Sequence, residues 1–388
     1  MTEILLYILL GLGPGALIAA IAVSVVLTYR GSGVINLASG AVAMIGGYAF
    51  WALRTGELGV TVGDVPAVVI SLAFVLAFGA AMELLAFRPL HTSSPLAKLV
   101  SSLGVLLIAQ AGVLLAFGVT PQPGPTILPQ DTVKLFDAVV PIDRFLLAGI
   151  VVAMTAVLAA LYRWSQFGLA TRAASENQAA AMLGGLSPDR LSMTNTLLSS
   201  LVAGVLGILA ASITSLDPST LPLQIVPALA AALIARFTSL TVACAAGIGL
   251  GILQSLINYA SAQDWFPITG GLPLPGVYDL VVFLIIALVL FARGARLPRR
   301  GDLVEKSLPM APRPQNLIRT SLIVGVVCAV ALVIFPFDFR DALVNTLIGT
   351  LMALSLVVLT GYVGTTRDRK STRLNSSHSS SSRMPSSA

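Results

Sequence analysis

Few side chains in this chain of 388 residues could do covalent chemistry, and those few do not converge. The two histidines are His91, beside Arg88 and Pro89, and His378, in a serine-rich end. Neither stands with a serine and an acid in an arrangement that would activate a nucleophile. Cys244 and Cys328 both lie inside apolar runs without metal-ligand spacing, and read as small buried hydrophobic side chains. No G-x-x-x-x-G-K-S/T run occurs, so the chain has no phosphate cradle of the usual kind. The glycine clusters Gly11–Gly15 and Gly31–Gly33 sit in or beside apolar runs, where tight helix packing or a helix break explains them better. What remains is the chemistry of binding and docking. Asn36, Ser39 and Gly40 open the second apolar run, and Gln110, Asn195, Gln254 and Asn258 lie within later ones. A polar group in such a place either lines a solute pathway or hydrogen-bonds a neighbouring helix, and residue type does not separate the two. Glu83 is the most deeply placed acid, about one turn from Arg88, with which it could pair near an interface.

The longest polar, helix-compatible run between two apolar spans is Phe167–Leu191, FGLATRAASENQAAAMLGGLSPDRL. At 100° per residue, Ala173, Asn177, Ala180 and Gly184 fall within about 60° of one another. They make a face of small side chains, flanked by Arg172 and Glu176 one turn apart. Gly184-Gly185 is expected to close the helix and Ser187-Pro188 to open the next element. So smooth a face suits close packing against another surface; a solvated, alanine-rich loop helix is the plainer reading of the same pattern.

The elements that would position these residues are membrane helices. The chain is 56% hydrophobic and 10% charged, against about 25% charged in soluble domains. Apolar runs of transmembrane length, or nearly so, occur at about 4–28, 34–53, 65–87, 97–118, 145–162, 192–214, 222–235, 240–260 and 277–292, with two more at about 320–336 and 342–360. The first has an acidic flank, Glu3, and is expected to be a retained helix and not a cleaved leader. The run at 222–235 is short and contains Pro227, so a broken or re-entrant segment is expected. Arg88, Lys98, Arg163, Arg172, Arg190, Arg236, Arg293, Arg296, Arg299 and Arg300 alternate onto one side. The loops at 215–221 and 261–276 carry Asp217 and Asp264 and neither Lys nor Arg. Positive loops stay in the cytoplasm, which puts 163–191 inside and the N-terminus outside. The proline-rich loop 119–144 reads as an extended outer segment, either a docking place for a delivery protein or a plain connection.

The run RAASENQAAAMLGGLSPDRL resembles the cytoplasmic coupling segment of LivH-type permeases of branched-chain amino acid ABC importers. GSGVINLASGAVAMIGGY, FRPLHTSSPLAKLVSSLG and PGVYDLVVFLIIALVLFARG resemble the same family in the expected order, over about residues 10 to 300. The resemblance implies an all-α polytopic membrane protein, a permease bundle of about 8–9 helices in residues 1–292. It implies that Arg172, Glu176, Asn177, Ala180 and Gly184 dock on a separate ATPase subunit, which binds ATP and Mg, and that this chain itself carries no cofactor and is no enzyme. It also implies an extracytoplasmic solute-binding protein, a second permease half or subunit, and the bacterial inner membrane. Asn36, Ser39, Gly40 and Gln110 are the expected pathway residues. Two departures stand out: Ser39 occupies a place where the family usually has histidine, and Ala235-Arg236 replace a customary glycine pair. The first keeps the solute open among branched-chain amino acids, amides and urea; the second puts the local helix break in question.

Residues 293–319 are charged and proline-bearing and read as a cytoplasmic linker. Beyond it, TLIGTLMALSLVVLTGYVG echoes ALIAAIAVSVVLTYRG near the start, which suggests a second half. Residues 320–364 resemble the beginning of a LivM-type permease, whose continuation is not present. Residues 365–388, TRDRKSTRLNSSHSSSSRMPSSA from Thr366, hold much of the net positive charge and are expected to be a non-native or disordered tail. An ion- or proton-coupled secondary transporter stays open as the alternative function; it would want ionisable residues at mid-membrane.

Overall fold

The computed structural model describes residues 2–293 apart from 58, 60, 91, 92, 94, 136, 137, 177, 264, 265, 267, 270, 271 and 275, together with 325, 330, 340, 343, 344, 347, 350 and 351. Contacts divide the chain into two units, Met1–Glu305 and Lys306–Ala388. The described positions of the second unit are helical. Almost all of the expected linker, most of the expected second half, and the tail lie outside the described residues.

The first unit is built from helices, as hydrocarbon demands of a backbone that must satisfy its own hydrogen bonds. In chain order they are α1 (Thr2–Leu10), α2 (Leu12–Ser32), α3 (Ser39–Thr55), α4 (Asp64–Met82), α5 (Pro95–Phe117) and α6 (Ile142–Trp164). Then follow α7 (Gln166–Glu176), α8 (Gln178–Leu183), α9 (Pro188–Ala210), α10 (Thr220–Leu223), α11 (Ile225–Ile234), α12 (Leu240–Ser261) and α13 (Val277–Arg293). Among the described residues six helical stretches are long and apolar enough to cross a membrane: Glu3–Ser32, Asp64–Leu90, Ala97–Phe117, Ile142–Trp164, Pro188–Ala210 and Leu240–Ser261. Two antiparallel hairpins, Thr132–Leu135 with Ala138–Pro141 and Ile268–Thr269 with Leu272–Pro273, decorate the connections. The chain is an all-α polytopic membrane protein.

α2 is the axis of the bundle. Every residue from Gly15 to Thr28 is buried, the signature of a helix apolar on all sides and enclosed by others. It packs against α12, α9, α11 and α6. The crossing with α12 is made by glycine. A Cβ on Gly11 would stand 2.6 Å from the Cα of Ile252, and one on Gly15 2.8 Å from the Ile248 carbonyl oxygen. Facing them, a Cβ on Gly247 or Gly251 would run into the backbone of Ala19 or Gly15. Backbones this close gain dispersion contacts that no lipid chain can replace. The glycine cluster at 11–15 is thus a packing device. α3 and α9 cross the same way, with Gly46 against Gly204 and Gly47 against Gly207. Outward, α4, α5, α6 and α13 present Val65, Ile108, Leu115, Val157 and Phe291, an apolar periphery suited to lipid or to another membrane chain.

Three details differ from the expectation or refine it. The first run is not one helix over 4–28: α1 and α2 meet at Gly11, and α2 continues to Ser32 before a left-handed Gly33 (φ 72°) ends it. The helix expected over 167–184 is described on both sides of Asn177, as α7 and α8, and Asn177 itself lies outside the described residues. The short run with Pro227 is broken at Gln224 into α10 and α11.

Candidate functional site

Two places collect the residues singled out above: the polar segment between α6 and α9, and the turn between α2 and α3. In the first, α7 carries few apolar side chains and buries Gly168, Thr171 and Ala174. α8 ends on a tight cap, in which Gly185 (φ 81°) donates to the Met182 carbonyl and Leu186 donates to the Ala181 carbonyl. Glycine takes this left-handed conformation without the clash of a Cβ, and the cap satisfies carbonyls that the helix end leaves open. Pro188 then starts α9 at a position where its missing N–H has no helical partner to lose. The chain therefore leaves α6, runs through the helical segment of α7 and α8, and re-enters the bundle. Ala173, Glu176, Ala180, Ala181, Gly184 and Leu186 line a cleft of about 380 Å³ on this segment. Ala173, Glu176, Ala180 and Gly184 are exposed. Small residues that a helix over this stretch would align are gathered around a hollow.

Arg172 points elsewhere. Its Nη2 donates to the Tyr162 carbonyl at 2.5 Å, within the last turn of α6, where a cation also meets the negative end of the helix dipole. Ser165 bridges the same corner, since its hydroxyl accepts from the Gly168 amide at 3.1 Å. The polar segment is thus clamped to the end of α6.

α9 carries a row of polar side chains, Ser192, Asn195, Thr196 and Ser199, spaced three and four residues apart along one side. Each is buried, and together they tie α9 to Glu83 at the end of α4, to α6 and to α2. Ser192 and Thr196 donate to the two carboxylate oxygens of Glu83 at 2.6 and 2.7 Å. Tyr162 donates to Asn195 Oδ1. Ser199 donates to the Ser24 carbonyl at 2.9 Å and accepts from Thr28 at 2.8 Å. Asn195 was visible in the sequence as an intramembrane polar residue. Ser192, Thr196 and Ser199 were not singled out, although their spacing is a legible signal. Glu83 lies in a π-helical turn, Glu83–Phe87, that continues α4, and is 2% exposed. Arg88 meets Asp189 at the head of α9, at 3.5 Å.

In the second place, Asn36 is 1% exposed; its Oδ1 accepts from the Ala38 amide at 3.0 Å, and its Nδ2 has no hydrogen-bond partner among the described residues. Ser39, also 1% exposed, donates to the Asn36 carbonyl at 3.1 Å. Gly40 lies against the break before α11, where a Cβ would sit 2.8 Å from the Pro222 carbonyl oxygen. Ser102 of α5 braces the turn, accepting from the Leu37 amide at 3.3 Å. Gln110, two turns further along α5, is half-buried. Asn36, Ser39 and Gly40 are therefore brought together, next to a discontinuous helix. Among the described residues no hydrogen bond joins Gln110 to them.

The loops at the other ends of these helices are tightly tied. Gln122 and Leu216 exchange backbone hydrogen bonds at 2.9 Å, and Ser212 accepts from the Ile127 amide at 2.9 Å. The loop 119–144 is in this way strapped to the end of α9. Asp217 accepts from the hydroxyl and amide of Ser219, at 2.6 and 2.8 Å, which holds its carboxyl below the usual carboxylate range.

The break after α11 keeps its geometry without glycine. Arg236 and Phe237 have φ of 55° and 54°, and their amides donate to the Leu233 and Ala232 carbonyls. The doubt raised by Ala235-Arg236 is resolved in favour of a helix break. His91 lies outside the described residues, and among the described residues no cluster of His, Cys, Asp and Glu could hold a metal.

A family model described as "Branched-chain amino acid transport system / permease component" matches residues 7–291. The permease protein LivH of a high-affinity branched-chain amino acid transport system in Escherichia coli K12 is 27% identical over 310 residues, covering 76% of this chain and 95% of that protein. A probable branched-chain amino acid transport permease LivH of Methanocaldococcus jannaschii is 28% identical over 285 residues, covering 70% and 86%. BraD, a permease of the corresponding high-affinity system in Pseudomonas aeruginosa, is 26% identical over 306 residues, covering 76% and 95%.

Proposed function

This chain belongs to the family of branched-chain amino acid transport permease components, and from that premise we propose how it works, what it carries and with whom. It is a multi-pass permease subunit of the inner membrane and not itself an enzyme. Its solute is a branched-chain amino acid or a related small polar molecule such as an amide or urea. Separate ATPase subunits bind ATP and Mg and supply the power, and an extracytoplasmic binding protein hands over the solute. Hydrolysis would move the two permease halves between outward- and inward-facing arrangements.

The observation that carries the reading is the cleft on the segment between α6 and α9. It is lined by small side chains, exposed, and built on helices that lead directly into the core. Ala180, Gly184 and Glu176 line it; Asn177 completes the docking set, and Arg172 holds the segment to α6. Asn36, Ser39 and Gly40 are the best-placed pathway residues. A buried amide donor without a partner is costly, and a passing solute carboxylate or amide would satisfy Asn36. Gln110 is a further pathway candidate from α5.

The N-terminus is outside and the cleft is cytoplasmic. Residues 1–292 are the permease domain, which accords with a family match ending at 291. Residues 293–319 are the linker, 320–364 the start of a LivM-like half, and 365–388 a tail without a transport role. A second permease half or subunit completes the pathway. The ion-coupled alternative is not favoured: Glu83, the buried acid it would need, is engaged by two hydroxyls of α9.

Gly184→Trp tests the docking claim. A Cβ there meets the Ala181 carbonyl oxygen at an ordinary 3.4 Å, so added bulk grows into the cleft and leaves the bundle alone. The variant should reach the membrane in normal amounts and lose ATP-dependent uptake. Undiminished uptake would sink the docking surface, and uptake that needs a proton gradient and no ATPase would restore the alternative.

A further inference from the structure

Tyr162 sits where three helices and the polar segment converge. Its ring is 2% exposed. From α2, the Arg30 guanidinium carbon lies 4.8 Å from the ring centroid, a distance at which a cation is attracted to the ring face. From α7, Phe167 meets the ring edge-on, with centroids 5.6 Å apart. The Tyr162 carbonyl takes Arg172 at 2.5 Å, and a Cβ on Gly168 would overlap that same carbonyl. Its hydroxyl donates to Asn195 on α9. One residue therefore touches the helix that enters the segment, the first helix of the segment, and the helix that leaves it, as well as the central α2.

We propose that Tyr162 is the positioning residue that makes α7 and the start of α9 move as one body with α2 and α6. It rests on the reading that the segment between α6 and α9 receives the ATPase. A push on α7 alone would be absorbed at the bends at Ser165 and Gly185, because short linked helices yield first at their joints. The Tyr162–Asn195 bond closes the loop across those bends. Arg30 carries the displacement into α2, the axis of the bundle. Tyr162 touches neither solute nor nucleotide; it acts through the helices that it joins.

Tyr162→Phe keeps the ring on Arg30 and Phe167 and the carbonyl on Arg172, and removes only the hydroxyl that reaches α9. Amide hydrogen exchange on the purified full chain gives the first readout. In the wild type, amides of 166–176 and 188–196 should open together. In the variant those of 188–196 should exchange about tenfold faster, the factor that goes with one lost buried hydrogen bond, while 166–176 keep their rate. An equal change in both segments, or none in either, overturns the proposal. The second readout uses the complex with its ATPase subunits in vesicles, with labelled leucine as the probe. ATP hydrolysis should stay near the wild-type rate while uptake per ATP falls about tenfold. Parallel loss of both would mean a merely structural role. If Tyr162→Phe accumulates poorly, Asn195→Leu, which removes the acceptor from the other side, is measured by the same two readouts. If no ATPase associates with the wild type, or none of leucine, a small amide and urea is carried, the transport reading fails by itself, and the exchange result still decides the joint.

Discussion

Arg236 and Phe237 hold a backbone conformation that side chains resist. Left-handed φ costs a residue with a Cβ about 1–2 kcal/mol, and two consecutive residues adopt it here. Phe237 is compensated: its ring is buried and packs on Tyr29 with centroids 4.8 Å apart. Arg236 is exposed. Arg236→Gly should therefore stabilise the bundle by about 1 kcal/mol, read as a higher thermal midpoint in detergent, whereas Phe237→Gly should destabilise it by removing the ring. A lower midpoint for Arg236→Gly would mean that the guanidinium has a partner worth more than the strain. Residue identity alone could flag the absent glycines but could not say whether the break had gone with them. Single residues say too little for a similar reason at Glu83. Its nearness to Arg88 in sequence suggests a pair near an interface, and gives no sign that the carboxylate accepts from Ser192 and Thr196, more than a hundred positions away. Asn195 was legible as a polar intruder in an apolar run, but its partner Tyr162 was not, because an aromatic near a helix end carries no such signal.

At the scale of elements, helices were readable from apolar runs and their crossings from glycine spacing. An apolar run of about 20 residues has one economical fate in a membrane, so α4, α5, α6, α9 and α12 lie where the runs lie. The break in the short run with Pro227 was also legible, whereas the interruption at Gly11 was harder to see, since tertiary contacts rather than local propensity decide where such a chain bends. Glycine on α12 gives a sharp test of the crossing. A Cβ on Gly247 or Gly251 would overlap the backbone of α2, while at Gly249, on another face of the same helix, nothing lies within 4 Å. Gly251→Val should push the helices apart at a cost of about 1–3 kcal/mol or more and reduce the folded yield sharply. Gly249→Val should be nearly silent. Equal yields from the two variants, measured by size-exclusion profile, would mean that the crossing tolerates separation and that glycine there is incidental.

At the scale of the whole molecule, charge and geometry agree on two unlike ends. One end gathers Arg30, Arg88, Arg163, Arg172 and Arg236 with the open cleft. The other gathers Glu3 against Tyr259, Asp217 with Ser219, and the strap from Gln122 to Leu216. Positive loops resist transfer across the membrane, so the first end should be cytoplasmic. Two exposed positions decide this: Ala173 in the cleft and Thr132 in the hairpin of the loop 119–144. With Cys244 and Cys328 replaced by alanine, Thr132→Cys should react with a membrane-impermeant maleimide on intact cells. Ala173→Cys should react only after the membrane is opened, and association of the ATPase subunits should then shield it. The reverse labelling would invert the topology and leave the cleft facing the wrong compartment for an ATPase. Labelling as expected but without shielding would keep the topology and move the docking surface elsewhere, onto Leu169 and Trp164, which are also exposed. The two positions thus separate the orientation of the bundle, which loop charge carries, from the use of its inner face, which only the small side chains around Gly184 argue for.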